Sequence, residues 1–156
     1  MRVVLLSIGT RTPAWIAAGF EDYAGRMPRE CRLELRTFPV AKARGRDDLA
    51  RRLEQEGERL LQAVPRGSRV GILDVEGSLW TTEQLSRKLA SWLGSGHDLA
   101  LLIGGPDGLS APCRAAAAFR WSLSPLTFPH ALVRVLVAEQ IFRAWSMLHH
   151  HPYHRG

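Results

Sequence analysis

Short apolar runs alternate along this chain with stretches of helical periodicity, and that alternation narrows its fold more than any other feature. Residues 2–8 and 98–103 (DLALLI) are continuously apolar enough to be strands buried on both faces. Residues 69–74 (RVGILD) form another strand, residues 32–38 (RLELRTF) alternate polar and apolar as a half-exposed one, and residues 121–124 make a short last strand. Between them lie helical patterns. Strand and helix in strict succession predict an α/β fold with a mostly parallel sheet flanked by helices. No internal repeat or linker interrupts the 156 residues, so one domain over 1–156 is expected.

Local signals place the helices. Pro13 opens the first, with Thr12 as its expected N-cap, and Trp15, Ile16, Gly19, Phe20 and Tyr23 form its apolar face. Asp47 or Asp48 caps a second helix running to about Ala63, with Leu49, Leu53, Leu60 and Leu61 inward. Thr81-Thr82-Glu83-Gln84 reads as a capping box ahead of a third helix that carries Leu85, Leu89 and Trp92 and stops at Gly94. Ser110 caps a short helix with Pro112 in its first turn. Residues 130–148 form the longest helix, with Leu132, Val133, Leu136, Val137, Phe142 and Trp145 available for burial and Pro152 beyond it.

Composition excludes several classes. An apolar fraction of 46% and a charged fraction of 23% fit a globular chain, not a disordered or collagenous one. No segment approaches the ~20 apolar residues of a membrane span. One Arg before residues 3–8 and Gly-Thr-Arg-Thr-Pro after them fit a buried strand, not a signal peptide. Cys31 and Cys113 share no metal-ligand spacing, so free thiols in a reducing cytoplasm are expected. The net charge is +6, concentrated in residues 26–46 and 108–156. Two basic regions on one small domain suit a polyanionic partner, and equally a surface that is merely positive.

Open parallel sheets bind ligands beyond the carboxyl ends of their strands, which directs attention to the segments after Asp74, Ile103 and Ser124. Gly104-Gly105-Pro106-Asp107-Gly108 follows a buried strand, and its glycines permit positive φ and close backbone approach to a ligand. It also serves as a plain tight turn. It lacks the spacing of a Walker A loop or of G-x-G-x-x-G. Residues 122–130 (SLSPLTFPH) could wall an adenine with Leu and Pro while backbone groups read its edge. The closing His149, His150, His151, Pro152, Tyr153, His154, Arg155 run has no acidic or thiol partner to complete a metal set, and Pro152 forbids a regular helix between His150 and His154. No metal is expected. Cation, aromatic face and hydrogen-bond donors together suit RNA.

Three blocks, IGTRTPAWIAAGFEDYAGRMP, LLIGGPDGLS and PHALVRVLVAEQIFRAWSMLHHHPYHR, resemble the bacterial RlmH-type family of SPOUT-class methyltransferases over essentially the whole chain. The resemblance implies S-adenosyl-L-methionine (SAM) as cofactor and N3 of a pseudouridine in 23S ribosomal RNA as methyl acceptor, within the large subunit or the whole ribosome. It implies a trefoil knot in the C-terminal half and a homodimer with the cofactor held next to the partner subunit. Carried over by position, the cofactor residues are Leu73, Gly104 and the stretch Leu123, Ser124, Pro125, Leu126, Thr127 and Phe128. The catalytic candidates are His154 as proton acceptor and Arg155 or Arg143 as stabilisers of the uracil anion. Glu139 is expected to pair with Arg143, four residues on. Many members carry Tyr where this chain has Phe142, so no hydroxyl acts there. Two readings compete: a non-catalytic ribosome-binding factor using the same basic surface, and a nucleotide-binding α/β enzyme of other chemistry. The first leaves the glycine turn and the 122–130 loop without a task, and the lack of a phosphate-cradling motif argues against the second.

Overall fold

The computed structural model describes residues 1–156 except Ala43, Arg44, Arg46, Asp47 and Gly156. Asp47, one of the two expected caps, therefore lies outside the described residues. Five strands form one sheet: β1 (Arg2–Ile8), β2 (Arg32–Phe38), β3 (Arg69–Leu79), β4 (Leu99–Ile103) and β5 (Phe119–Ser122). Their order is β2-β1-β4-β3-β5 and every pair is parallel. The helices are α1 (Ala14–Arg26), α2 (Leu49–Ala63), α3 (Thr82–Ser95), α4 (Ala111–Ala116) and α5 (His130–Leu148), followed by a 3-10 turn over Pro152–Arg155.

The unbroken apolar runs have a physical reason. Successive side chains of a strand point to opposite faces, and here both faces are covered. Val3 and Leu5 of β1, with Leu99, Leu101 and Ile103 of β4, enter the larger core beside α1, α3 and α5. Val4, Leu6 and Ile8, with Ala100 and Leu102, enter a second core beneath α2 and α4. Crossovers running one way along the sheet use α1 and α3 on the first face, and those running back use α2 and α4 on the second. A single crossover hand requires this arrangement.

Most local signals hold. Thr81 and Gln84 complete the capping box: the Thr81 hydroxyl accepts from the Gln84 amide at 3.1 Å, and the Gln84 side chain accepts from the Thr81 amide at 2.9 Å. Ser110 accepts from the Cys113 amide and caps α4. Several expectations fail. Pro13, not Thr12, is the N-cap of α1, with no side-chain cap bond, because its fixed extended backbone already turns the chain into the helix. Trp15 is 60% exposed and Leu49 is exposed as well, since each sits in the first turn of its helix, before the helix settles on the sheet. Asp48 precedes α2 in αR conformation and makes no cap hydrogen bond. Residues 75–79 continue β3 past a register shift between Leu73 and Ser78. The last strand lies at 119–122, not 121–124, because Gly71 leaves the room that lets Phe119 pair beside it. The helix α3 ends at Ser95, with Gly96 as left-handed cap.

Candidate active site

Beyond the sheet's carboxyl edge, the chain leaves β3 toward α3 on one face and leaves β4 toward α4 on the other. The two strand ends therefore part and open a cleft, the place where α/β sheets hold ligands. The cleft measures about 680 Å³, within the usual range for a small organic ligand.

Its walls come from three segments. Leu73, Asp74 and Val75 supply the first, the glycine turn after Ile103 the second, and the 121–130 stretch the third. The turn is built by contact. Gly108 has φ +85°, and its amide donates to the Gly105 carbonyl at 3.0 Å. A Cβ on Gly104 would lie 2.5 Å from the Gly108 carbonyl oxygen, so only hydrogen allows the turn to fold on itself and present backbone to the cleft. In the third wall the Ser124 hydroxyl accepts from the Leu126 amide at 3.0 Å, and the Ser122 hydroxyl donates to the Ser124 carbonyl at 3.1 Å. These local bonds hold the loop open without strand pairing.

Of the eight expected cofactor positions, Leu73, Gly104, Leu123, Ser124, Leu126, Thr127 and Phe128 all line this one cleft, and Pro125 does not. The residues fit a nucleoside-type cofactor. The lining is mainly apolar, bare backbone approaches at Gly104, and the volume suffices.

The catalytic candidates sit elsewhere in the same protomer. The helix α5 begins at the cleft with His130 and runs 19 residues, about 28 Å at 1.5 Å per residue. Arg143 lies about 20 Å along it from His130, and the tail folds back near the far end. There Glu139 Oε1 accepts from Arg143 Nε at 2.7 Å and from the Tyr153 hydroxyl at 3.0 Å, so the expected Glu139–Arg143 pair is present. The Tyr153 ring packs 4.7 Å from Phe142 and under the Arg143 guanidinium. Burial, with Tyr23 and Glu139 beside it, pushes the Tyr153 phenol well up, so it stays a neutral donor. Phe142 is buried among these rings, where a hydroxyl has no task. His154 Nδ1 is buried with no hydrogen-bond partner among the described residues, and Arg155 is exposed. No cluster of metal-ligating residues occurs among the described residues, and both cysteines are buried, free thiols.

The sequence reading assigned no role to Asp74, Arg114 or His130, which line the cleft, or to Arg134, one turn along α5 from His130. Asp74, its side chain 5% exposed, accepts from Arg114 Nη1 at 2.5 Å, Arg120 Nη2 at 2.6 Å and Nε at 3.1 Å, and the Glu76 amide at 3.1 Å. Burial alone would raise its carboxyl; the bond from Arg120, the Glu76 amide and the two positive charges outweigh that and hold it below the ordinary range. Its place at a strand end was the available signal. Arg134 is 1% exposed and has no carboxylate partner among the described residues; Nε donates to Ser7 Oγ at 2.9 Å and Nη2 to the carbonyls of Ile8 and Gly9. One turn earlier, His130 lines the cleft, and burial first, then the Arg134 charge, lower its pKa and keep it neutral.

A parallel α/β sheet with an apolar, glycine-walled cleft at its diverging strand ends defines a protein that binds a nucleoside-type ligand there. A family model described as a predicted SPOUT methyltransferase matches residues 1–154, and the chain belongs to that family of methyltransferases. It is similar to the ribosomal RNA large subunit methyltransferase H of Thioalkalivibrio sulfidiphilus, 54% identical over 99% of both chains. It is similar also to the protein of that name from Methylococcus capsulatus, 52% identical over 99% of this chain and 100% of the other. Among solved structures, a methylase-family protein of Neisseria gonorrhoeae shares the fold with a TM-score of 0.54 at 16% identity, over 90% of this chain and 81% of the other. A Legionella pneumophila methyltransferase, solved with bound SAM, has a TM-score of 0.50 at 8% identity, over 90% of this chain and 65% of that one.

Proposed function

We propose that this chain transfers the methyl group of SAM to N3 of a pseudouridine in 23S ribosomal RNA, in the cytoplasm, as a homodimer. One observation carries the reading: three separate segments expected to hold the cofactor, at Leu73, at Gly104 and from Leu123 to Phe128, converge on a single cleft. The relatives named as large-subunit ribosomal RNA methyltransferases support the RNA substrate. Membership of the SPOUT methyltransferase family supports a trefoil knot in the C-terminal half.

The cofactor, when bound, supplies an electrophilic methyl carbon. The chain's own residues do the rest. Leu123 through Phe128 and the backbone at Gly104 hold the nucleoside and exclude water. Holding acceptor and methyl in line contributes several kcal/mol of the barrier, on the order of 7–11 at best. His154, an imidazole that can accept a proton, takes the one on N3. Arg155 and Arg143 stabilise the negative charge left on the uracil ring.

The distance along α5 supports a second copy in this reading. One protomer's tail lies at the opposite end of that helix from its own cleft, so the tail that meets a cleft belongs to the partner.

The test is methyl transfer from labelled SAM to ribosomes, with His154→Ala and a cleft-filling Thr127→Trp each inactive alone. Mixed and re-equilibrated, the two variants should recover roughly a quarter of the wild-type rate, because half of the dimers carry one intact composite site. Recovery of nothing from dimers shown to have exchanged subunits would remove the shared site.

A further inference from the structure

We infer that Arg114 anchors the amino-acid carboxylate of the cofactor, and that the Asp74–Arg114–Arg120 cluster thereby fixes which way round the cofactor lies in the cleft. The inference rests on the methyl-transfer reading above.

The argument is one of charge matching within a mainly apolar cleft. Three ionisable side chains line it among the described residues: Asp74, Arg114 and His130. Asp74 is itself an anion that accepts from two arginines and a backbone amide, so it offers nothing to a carboxylate. His130 is held neutral by burial and by Arg134. Arg114 is different. Its Nη1 is committed to Asp74, while neither Nε nor Nη2 has a hydrogen-bond partner among the described residues. Its side chain is 38% exposed, so it borders the cleft without being sealed in the core.

The cofactor carries one anionic group, the carboxylate of its methionine part, and a cationic sulfonium that avoids positive charge. A planar guanidinium with free donors is the group that recognises a carboxylate. Asp74 holds that guanidinium from behind, so little side-chain freedom is lost when the ligand arrives. The methionine part then lies along the Asp74–Arg114 wall. The adenine is left to the 123–128 loop, where the sequence expects it. Arg120 belongs to the same cluster but does not line the cleft; it shares Asp74 and reaches outward to Glu76. That difference makes it the internal control.

The experiment is calorimetric titration of the full-length wild type, Arg114→Met, Arg114→Lys and Arg120→Met. Two ligands are used: S-adenosylhomocysteine, which has the amino-acid part, and 5′-methylthioadenosine, which lacks it. Arg114→Met should weaken S-adenosylhomocysteine about tenfold, as one partly exposed charge-assisted contact predicts, and leave methylthioadenosine unchanged. Arg114→Lys should recover part of the loss, and Arg120→Met should treat both ligands alike.

Equal weakening of both ligands by Arg114→Met would make Arg114 a structural support of the cleft and overturn the inference. So would unchanged affinity for both with a loss only in ribosome binding, which marks a phosphate contact. Wild-type protein that binds neither ligand, alone or with ribosomes, removes the methyl-transfer reading and this inference with it. Wild-type binding with no selective loss at Arg114 removes this inference alone.

Discussion

Gly104→Ala tests the construction of the cleft at its tightest point. The added Cβ would stand 2.5 Å from the Gly108 carbonyl oxygen and 2.6 Å from its carbon, both backbone atoms. Ordinary contact between such atoms is about 3.5 Å, so the turn must open by about 1 Å. Gly104 is not among the residues with positive φ, so the cost is one of contact, not of backbone strain. Opening the turn disturbs the Gly105–Gly108 bridge, and Gly105 is itself confined, its own Cβ site lying 3.0 Å from Ile8 Cγ2. Overpacking of this kind costs about 1–3 kcal/mol. For a chain of this size that lowers Tm by roughly 2–12 °C. In the proposed reading the moved wall holds the cofactor, so SAM affinity should fall about tenfold or more. Differential scanning calorimetry and titration read the two effects. The control is Gly94→Ala, in α3 with nothing within 4 Å of the new Cβ; it should raise stability by about 0.4–1 kcal/mol and leave cofactor affinity alone. A Gly104→Ala protein with unchanged Tm and unchanged affinity would refute the close-approach argument.

Three further outcomes follow from the packing and the charges. Trp92 is buried and stacked 5.2 Å from Phe119, so Trp92→Ala should cost about 3–5 kcal/mol, visible as a lower urea midpoint at a similar slope. Asp98 accepts from the Arg2 amide at 2.7 Å and from the Arg2 guanidinium, and these bonds hold its carboxyl below the ordinary value. A lowered folded-state pKa stabilises above the unfolded value near 3.9 and fades as pH falls through the folded one; Asp98→Asn should therefore flatten the loss of stability below about pH 4 in acid titrations. Burial pushes the Cys31 thiol up to about 11 and raises Cys113 as well, so neither should react with Ellman's reagent at pH 8 until denaturant is added.

Much of the fold was legible because its signals are local. The runs at 3–8 and 99–103 are apolar at all but one position, Ser7, because those strands are covered on both faces. Thr81 and Gln84, or Ser110 and Pro112, reach groups only three residues away, so their pattern alone fixes a helix start. The cleft was partly legible for the same reason: Gly104 to Gly108 needs its glycines for a turn closed within the segment.

Other features depend on partners far along the chain. Arg134 reads as an outward charge on an amphipathic helix until the end of β1, more than 120 residues earlier, offers it Ser7, Ile8 and Gly9. Asp74 becomes a buried clamp only because Arg114 and Arg120 return to it some 40 residues later. The separation of the His154 tail from its own cleft follows from the length and direction of α5. Sequence determined which segments are strand, helix and ligand turn, since those follow from hydrogen bonds and periodicity within a few residues. Tertiary structure alone decided which buried charges meet and which end of the longest helix faces the cleft, because those contacts are set by how the crossovers place distant segments on the sheet.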